Sequence, residues 1–306
     1  MAKTPVITLD LNFQGREQAI AAYGIPHATG LALVECGPGS TVAGLQAALG
    51  QHGYSLGDVT HVLLTHIHLD HAGAAGRMAR EGAHIFVHPV GAPHMREPEK
   101  LLASAARIYG DRMEALWGEF LPVPAESLTV AEDLVEIAIG NLRFLPINTP
   151  GHAEHHFAYL FEDLCFSGDV GGVRIPGYPY LRVPMVPPEL HLERWKASLV
   201  RLREFSFARI APTHFGVFDD PEWQLAQVEA HIDETRRWLD EAMPGDPPIE
   251  ELRQMFTSWM ETQAREQGLS EAVVRAYELA NPVGMSADGL QRYWKKVLHP
   301  TDGKTS

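Results

Sequence analysis

His66-Ile67-His68-Leu69-Asp70-His71 puts three imidazoles and one carboxylate into six consecutive residues, two positions after the apolar run Val62-Leu63-Leu64. Such a cluster makes a poor core, because buried polar groups need partners. A bound cation supplies them, and imidazole with carboxylate suits Zn2+, or Fe or Mn. In an extended loop, residues two apart share a side. His66 and His68 can then grip one ion, while Asp70 and His71 fall where the chain turns and can grip another.

Two sites need further donors, and the chain offers them after later apolar runs. His152 stands in Thr149-Pro150-Gly151-His152, Asp169 in Ser167-Gly168-Asp169, and His214 in Pro212-Thr213-His214-Phe215-Gly216. Each follows a short apolar run and is bounded by Gly or Pro, the pattern of ligands carried on loops by a rigid scaffold.

Working outward, short strands are expected at Val6 to Leu11, Leu31 to Val34, Val62 to Leu64 and Ile85 to Val87. Val135 to Ile139 and Leu142 to Ile147 flank Gly140-Asn141, a two-residue hairpin signal. Tyr159 to Phe161 and Leu164 to Phe166 form another expected pair, and Ile210-Ala211 a last strand. Val42, Leu45 and Leu49 mark a helix ended by Gly53. A helical insertion is expected over 97–120, where Leu102, Ala105, Tyr109, Met113, Leu116 and Phe120 recur at steps of three and four, with a break near Gly110. Such an insertion is either an ordinary packing helix or a lid. From Pro221 onward only helical patterns occur.

With 306 residues and 45% hydrophobic content, the chain can bury a full core. The expected organisation is a catalytic domain over 1–218 and a C-terminal helical region over 219–306. A formal net charge of −14 repels phosphate backbones, so nucleic acid is a poor partner and a small molecule the expected one. Two cysteines, Cys36 and Cys165, are no disulfide framework. The start lacks the apolar stretch of a signal peptide, and no run approaches bilayer length, so a soluble cytoplasmic protein without membrane contact is expected. Homo-oligomerisation stays open.

His-x-His-x-Asp-His, then Gly-His, then Gly-Asp, then a late His resembles the metallo-β-lactamase superfamily in order and spacing, over residues 1 to about 218. The resemblance implies an α/β fold of the α+β kind, a four-layer αββα sandwich with the metals at one edge of its two sheets. It implies two divalent ions, Zn2+ ahead of Fe or Mn. His66, His68 and His152 would hold the first; Asp70, His71 and His214 the second; Asp169 would bridge them. Asp70 would also orient the nucleophile, a hydroxide bridging the ions. Glu35-Cys36-Gly37 is similar to the family's early Asp-x-Gly motif, with Glu35 replacing the usual Asp at what is a structural position in most members.

Departures narrow the subclass. An aspartate in the position of Asp169 argues against antibiotic hydrolysis, and His68 against flavo-di-iron oxygen reductases, which carry Glu there. Lactonases often carry a Tyr three residues past this Asp, where this chain has Gly172. The full ligand set is similar to that of glyoxalase-II-like thioesterases, although Ala153 stands where they often have Thr; His156 matches a further family position. Arg107-Ile108-Tyr109-Gly110-Asp111 and Asn281-Pro282 are similar to members called only metallo-hydrolases, which implies no settled substrate. Candidate substrate contacts are Arg174, Tyr178, Tyr180 and His156. The expected activity is hydrolysis of a thioester or carboxylic ester of a small metabolite. The alternatives are a phosphodiesterase, a mononuclear iron dioxygenase acting on a thiol or persulfide, and a non-catalytic metal-binding protein.

Overall fold

The computed structural model describes residues 3–300. Short apolar runs, most of them buried on both faces, build two sheets. The first runs in sequence order through β1 (Ile7–Asp10), β2 (Ala21–His27), β3 (Gly30–Val34), β4 (Val59–Leu63), β5 (His84–Val87) and β6 (Leu128–Val130). Its first three strands pair antiparallel, and β3 to β6 run parallel. The second sheet holds β7 (Ile137–Ile139), β8 (Leu142–Asn148), β9 (Phe157–Phe161), β10 (Leu164–Phe166) and β11 (Arg209–Ala211), with only β10 and β11 parallel. Between the sheets lies an aromatic layer of Tyr23, Phe144, Phe157, Tyr159 and Phe166.

The outer face of the first sheet is covered by α1 (Val42–Gln51), α2 (Leu69–Ala72), α3 (Ala75–Arg80), α4 (Ala92–Arg96) and the insertion, which is α5 (Glu99–Tyr109) and α6 (Met113–Trp117). The insertion does break at Gly110, whose φ of 53° is a left-handed value that favours glycine. The outer face of the second sheet is covered by α7 (Leu192–Leu202), α8 (Pro221–Ala242), α9 (Ile249–Glu266) and α11 (Val283–Tyr293), with α10 (Glu271–Ala280) beside them. The result is an αββα sandwich with a C-terminal helical extension. Leu225, Val228, Leu252, Phe256 and Leu290 share one apolar cluster with Ile147, Ala158 and Cys165 of the second sheet. The change of element type near residue 219 is therefore no gap in the core. Among the described residues, no helix is long and apolar enough to cross a membrane.

β2, β6 and α7 have no counterpart among the strands and helices expected from the sequence. β2 contains Gly24 and Pro26, residues that depress a strand reading. Pro26 is tolerated because β1 reaches only as far as Gly24, so the missing N–H faces no partner strand on that side. α7 buries Leu192, Trp195, Leu199 and Leu202, a spacing of three and four that is a readable helical signal.

The helical extension docks closely. Gly289 of α11 lies against the segment at Met185, and an added Cβ would sit 2.0 Å from the Met185 carbonyl oxygen. Gly289→Ala is therefore expected to lower stability by about 1–3 kcal/mol, the usual range for overpacking. Gly245→Ala, at a glycine with open space around it, is the neutral control. Chemical denaturation of the two variants checks this.

Candidate metal centre

Five loops meet at one edge of the sandwich, each leaving the C-terminal end of a strand. Glu35 follows β3, Thr65 and His66 follow β4, His152 follows β8, Asp169 follows β10, and His214 follows β11. Core tyrosines fasten two of them from below. The Tyr159 hydroxyl donates to the Leu64 carbonyl at 3.0 Å, and the Tyr23 hydroxyl accepts from the Gly216 amide at 3.1 Å. Gly168 is held at a φ of 52°, and a side chain there would meet the Thr65 hydroxyl and the His156 ring. Asp70 and His71 do not continue an extended loop from His68. They lie on the single turn of α2, which rotates both toward His214.

His66, His68 and His152 form the first group able to hold an ion. His152 donates its Nδ1 proton to the Pro184 carbonyl at 2.8 Å, and His66 Nδ1 lies 3.1 Å from the Thr65 hydroxyl. The Nε2 atoms of both are left with lone pairs, and each faces His68 Nδ1 at 2.9 Å. One proton at most can sit among three such nitrogens. Protonation of the rings is disfavoured as well. Burial first, and the neighbouring imidazoles second, hold His66 well below the usual histidine range and bring His68 down to about 3.

Asp70, His71 and His214 form the second group. Asp70 Oδ2 lies 3.6 Å from His71 Nε2 and 3.4 Å from His214 Nε2. Asp169 stands between the groups: its Oδ2 lies 3.3 Å from His152 Nε2, and its Oδ1 3.3 Å from His71 Nε2. His71 Nε2 and Asp169 Oδ1 are both buried, and neither has a hydrogen-bond partner among the described residues. Burial disfavours charge on all four groups, but their mutual attraction outweighs it. Asp169 is held well below the usual carboxylate range, Asp70 is lowered to about 2, and His71 is raised well above the usual histidine value. Convergent lone pairs, ionised carboxylates and orphaned buried atoms together fit divalent cations bound by N and O donors.

A further residue organises the centre. Glu35 is fully buried and accepts from four donors: His71 Nδ1 at 2.9 Å, the Thr213 hydroxyl at 3.0 Å, the Thr65 amide at 3.3 Å, and the Thr65 hydroxyl. Glu35, His66 and His71 also form a third close group. The carboxylate's acceptor positions are already filled by these donors, so its role is to orient His71. A carboxylate behind a ligating histidine fixes the tautomer and raises ligand basicity. The motif around Glu35 is visible in the sequence, but its partner is not, since His71 lies 36 residues away.

None of the four candidate substrate contacts lines the cavity that opens on this centre. His156 is fully buried behind it; its Nε2 accepts from the Asp169 amide at 3.2 Å and its Nδ1 meets the Thr149 hydroxyl at 2.8 Å. It steadies Asp169 and does not face solvent. Arg174 is spent in a two-pronged pair with Asp220, at 2.6 and 2.8 Å, and lies over the rings of Phe218 and Trp223. Tyr180 packs against Tyr277 in a separate apolar cluster, and Tyr178 is exposed at the surface. The Arg174 side chain and the Tyr180 carbonyl of this loop turn toward α8 and α10, while the Arg174 amide stays bonded to the His214 carbonyl.

The cavity itself measures about 390 Å³. His68, Asp70, Asp169 and His214 form its floor. Its walls come from the insertion (Leu101, Ala105, Tyr109 and Trp117), from Pro184 to Pro188, and from residues 278–285. The insertion and the helical extension thus both line the cavity above the centre.

Comparison with known proteins places this architecture. The model of the metallo-β-lactamase superfamily matches residues 17–214. The metallo-β-lactamase fold-containing protein ST1585 of Sulfurisphaera tokodaii is 27% identical over 191 residues, 60% of this chain and 72% of that protein. A hydroxyacylglutathione hydrolase of Shewanella pealeana is 28% identical over 142 residues, 46% of this chain and 41% of that protein. Among solved structures, the metallo-β-lactamase family protein TTHA1429 of Thermus thermophilus superposes with a TM-score of 0.65 at 20% identity, covering 95% of this chain and 92% of that one. The shared fold therefore includes helices beyond the matched family region.

Glu35→Gln keeps the volume but presents an amide N–H to donors that need an acceptor. It is expected to weaken metal binding about 10- to 100-fold. Competition with a chelator of known affinity measures this, with circular dichroism showing that the variant stays folded.

Proposed function

This chain belongs to the metallo-β-lactamase superfamily, and we propose that it is a dinuclear metal-dependent hydrolase cleaving a thioester or carboxylic ester of a small metabolite. One observation carries the reading: the two oxygens of Asp169 face imidazole nitrogens of different histidine groups at the same 3.3 Å. A carboxylate so disposed suits two ions that share it.

On this reading His66, His68 and His152 would hold one ion and Asp70, His71 and His214 the other, with Asp169 placed between the two groups. Zn2+ is the first candidate for the donor set, with Fe or Mn as alternatives. When bound, the ions supply Lewis-acid polarisation of a substrate oxygen and a water acidified toward neutrality. The remaining work falls to the chain. Asp70 lies in the cavity floor with its side chain 23% exposed, so it can accept a hydrogen bond from the attacking water and aim it. Its low pKa keeps it ionised for that role.

The mainly apolar walls above the centre, with Leu101, Ala105, Ile108, Leu116, Val186 and Met285, suit an acyl ester better than a phosphodiester. The relative from Shewanella pealeana is named as a hydrolase of hydroxyacylglutathione, which supports the same reaction class.

Elemental analysis is expected to find two divalent ions per chain. Metal-replete protein is expected to cleave thioesters or carboxylic esters faster than lactones or aryl phosphodiesters, and chelation to abolish the activity. Asp70→Asn is expected to lower kcat about 100-fold or more, as loss of a group that handles the water's proton does. No turnover of any class would overturn the reading, and one iron per chain with oxygen uptake would replace it with a dioxygenase.

A further inference from the structure

Resting on the hydrolase reading, we propose that the cavity is an acyl-chain site: the substrate's acyl group is an uncharged, mainly apolar chain, with Tyr109 donating a hydrogen bond to an acceptor beside the scissile bond. Three observations support it independently of the metal ligands.

The first is the lining. Leu101, Ala105, Ile108, Leu116, Val186 and Met285 face a space of about 390 Å³. Apolar walls with a small number of placed polar groups are the usual lining of a site for a mainly apolar ligand. The second is charge. Among the described residues, Arg112 is the one lysine or arginine of the lining and it is exposed, so a carboxylate at the far end of the acyl group would find no buried side-chain cation.

The third is a pair of unspent polar groups. The one hydrogen bond of the Tyr109 hydroxyl among the described residues goes to the Met285 sulfur at 3.5 Å, a weak acceptor. Trp117 lies edge-on to Tyr109 with ring centroids 4.9 Å apart, and its Nε1 is buried without a partner among the described residues. A buried donor left unpaired is costly, so a ligand oxygen there is favoured. Burial first, and the Asp70 carboxylate second, raise the Tyr109 pKa, so its hydroxyl keeps the proton it would donate.

A series of N-acetylcysteamine thioesters from acetyl to dodecanoyl tests the site on metal-replete protein. The expected kcat/KM rises about three- to fourfold per methylene until the cavity is full. In Ala105→Trp the ratio of decanoyl to acetyl kcat/KM is expected to fall about tenfold or more, since the new ring occupies the chain's space. In Tyr109→Phe, 3-oxodecanoyl is expected to lose its advantage over decanoyl. Binding is read separately with 2-undecanone, a neutral chain that cannot be hydrolysed. Calorimetry is expected to give one site per chain and a negative heat-capacity change. Acetyl thioester cleavage with no dependence on chain length, or a preference for glutaryl over neutral chains, would overturn the acyl-chain site while leaving the hydrolase. Ketone binding with no turnover of any ester class would sustain the site and overturn the hydrolase reading.

Discussion

The carboxylate of Glu35, buried among four donors, is the interaction on which the centre depends. It reaches His71 on α2, Thr65 after β4 and Thr213 after β11, so one side chain ties three loops from both sheets. Glu35 itself sits at a φ of 67°, a conformation that costs a non-glycine residue about 1–3 kcal/mol. Strain of that size persists where the surroundings over-determine it, and four hydrogen bonds to one carboxylate do so. The neighbouring ligand positions follow. His66 is one residue beyond Thr65, and His214 one beyond Thr213.

The same edge concentrates groups that oppose one another electrostatically. His66, His68 and His152 are driven toward neutrality by burial and mutual repulsion, while Asp70 and Asp169 are driven toward full charge by His71 and His214. Folding such a cluster without a cation leaves buried atoms unpaired, as at His71 Nε2 and Asp169 Oδ1. The fold holds the cluster open because its loops are fastened from behind, by Tyr159, Tyr23 and His156. Ligand convergence is therefore a property of the intersheet layer as much as of the loops.

The insertion and the helical extension have a shared role. Each is amphipathic and packs one face on a different apolar cluster. Where they meet above the ligands they leave an apolar space with a polar floor. The segment from Pro184 to Pro188 joins both worlds: Pro184 holds His152 through its carbonyl, and its neighbours form the cavity wall on which α11 rests. Geometry at the metals and shape of the cavity are coupled through this strap.

The groups of converging donors were legible in the sequence, because donor type and loop position travel together: His66, His68, His152, Asp169 and His214 lie on loops that follow strands, and Asp70 and His71 on the short helix beyond one of them. The strands on either side, the break at Gly110 and the helical run after Pro221 were legible for a similar reason, being local patterns of apolarity and turn chemistry. The strand Ala21–His27 was hidden by Gly24 and Pro26, whose cost depends on which neighbour each residue meets. The substrate face was not legible either. Arg174 looked like an anion clamp until Asp220, 46 residues on, took its guanidinium, and the structural position assigned to Glu35 gave no sign that its partner is His71. A sequence determines which chemistry its residues can offer. Only the tertiary structure decided which of those groups face one another, because hydrogen bonds and ion pairs form across distances in space that chain separation does not predict.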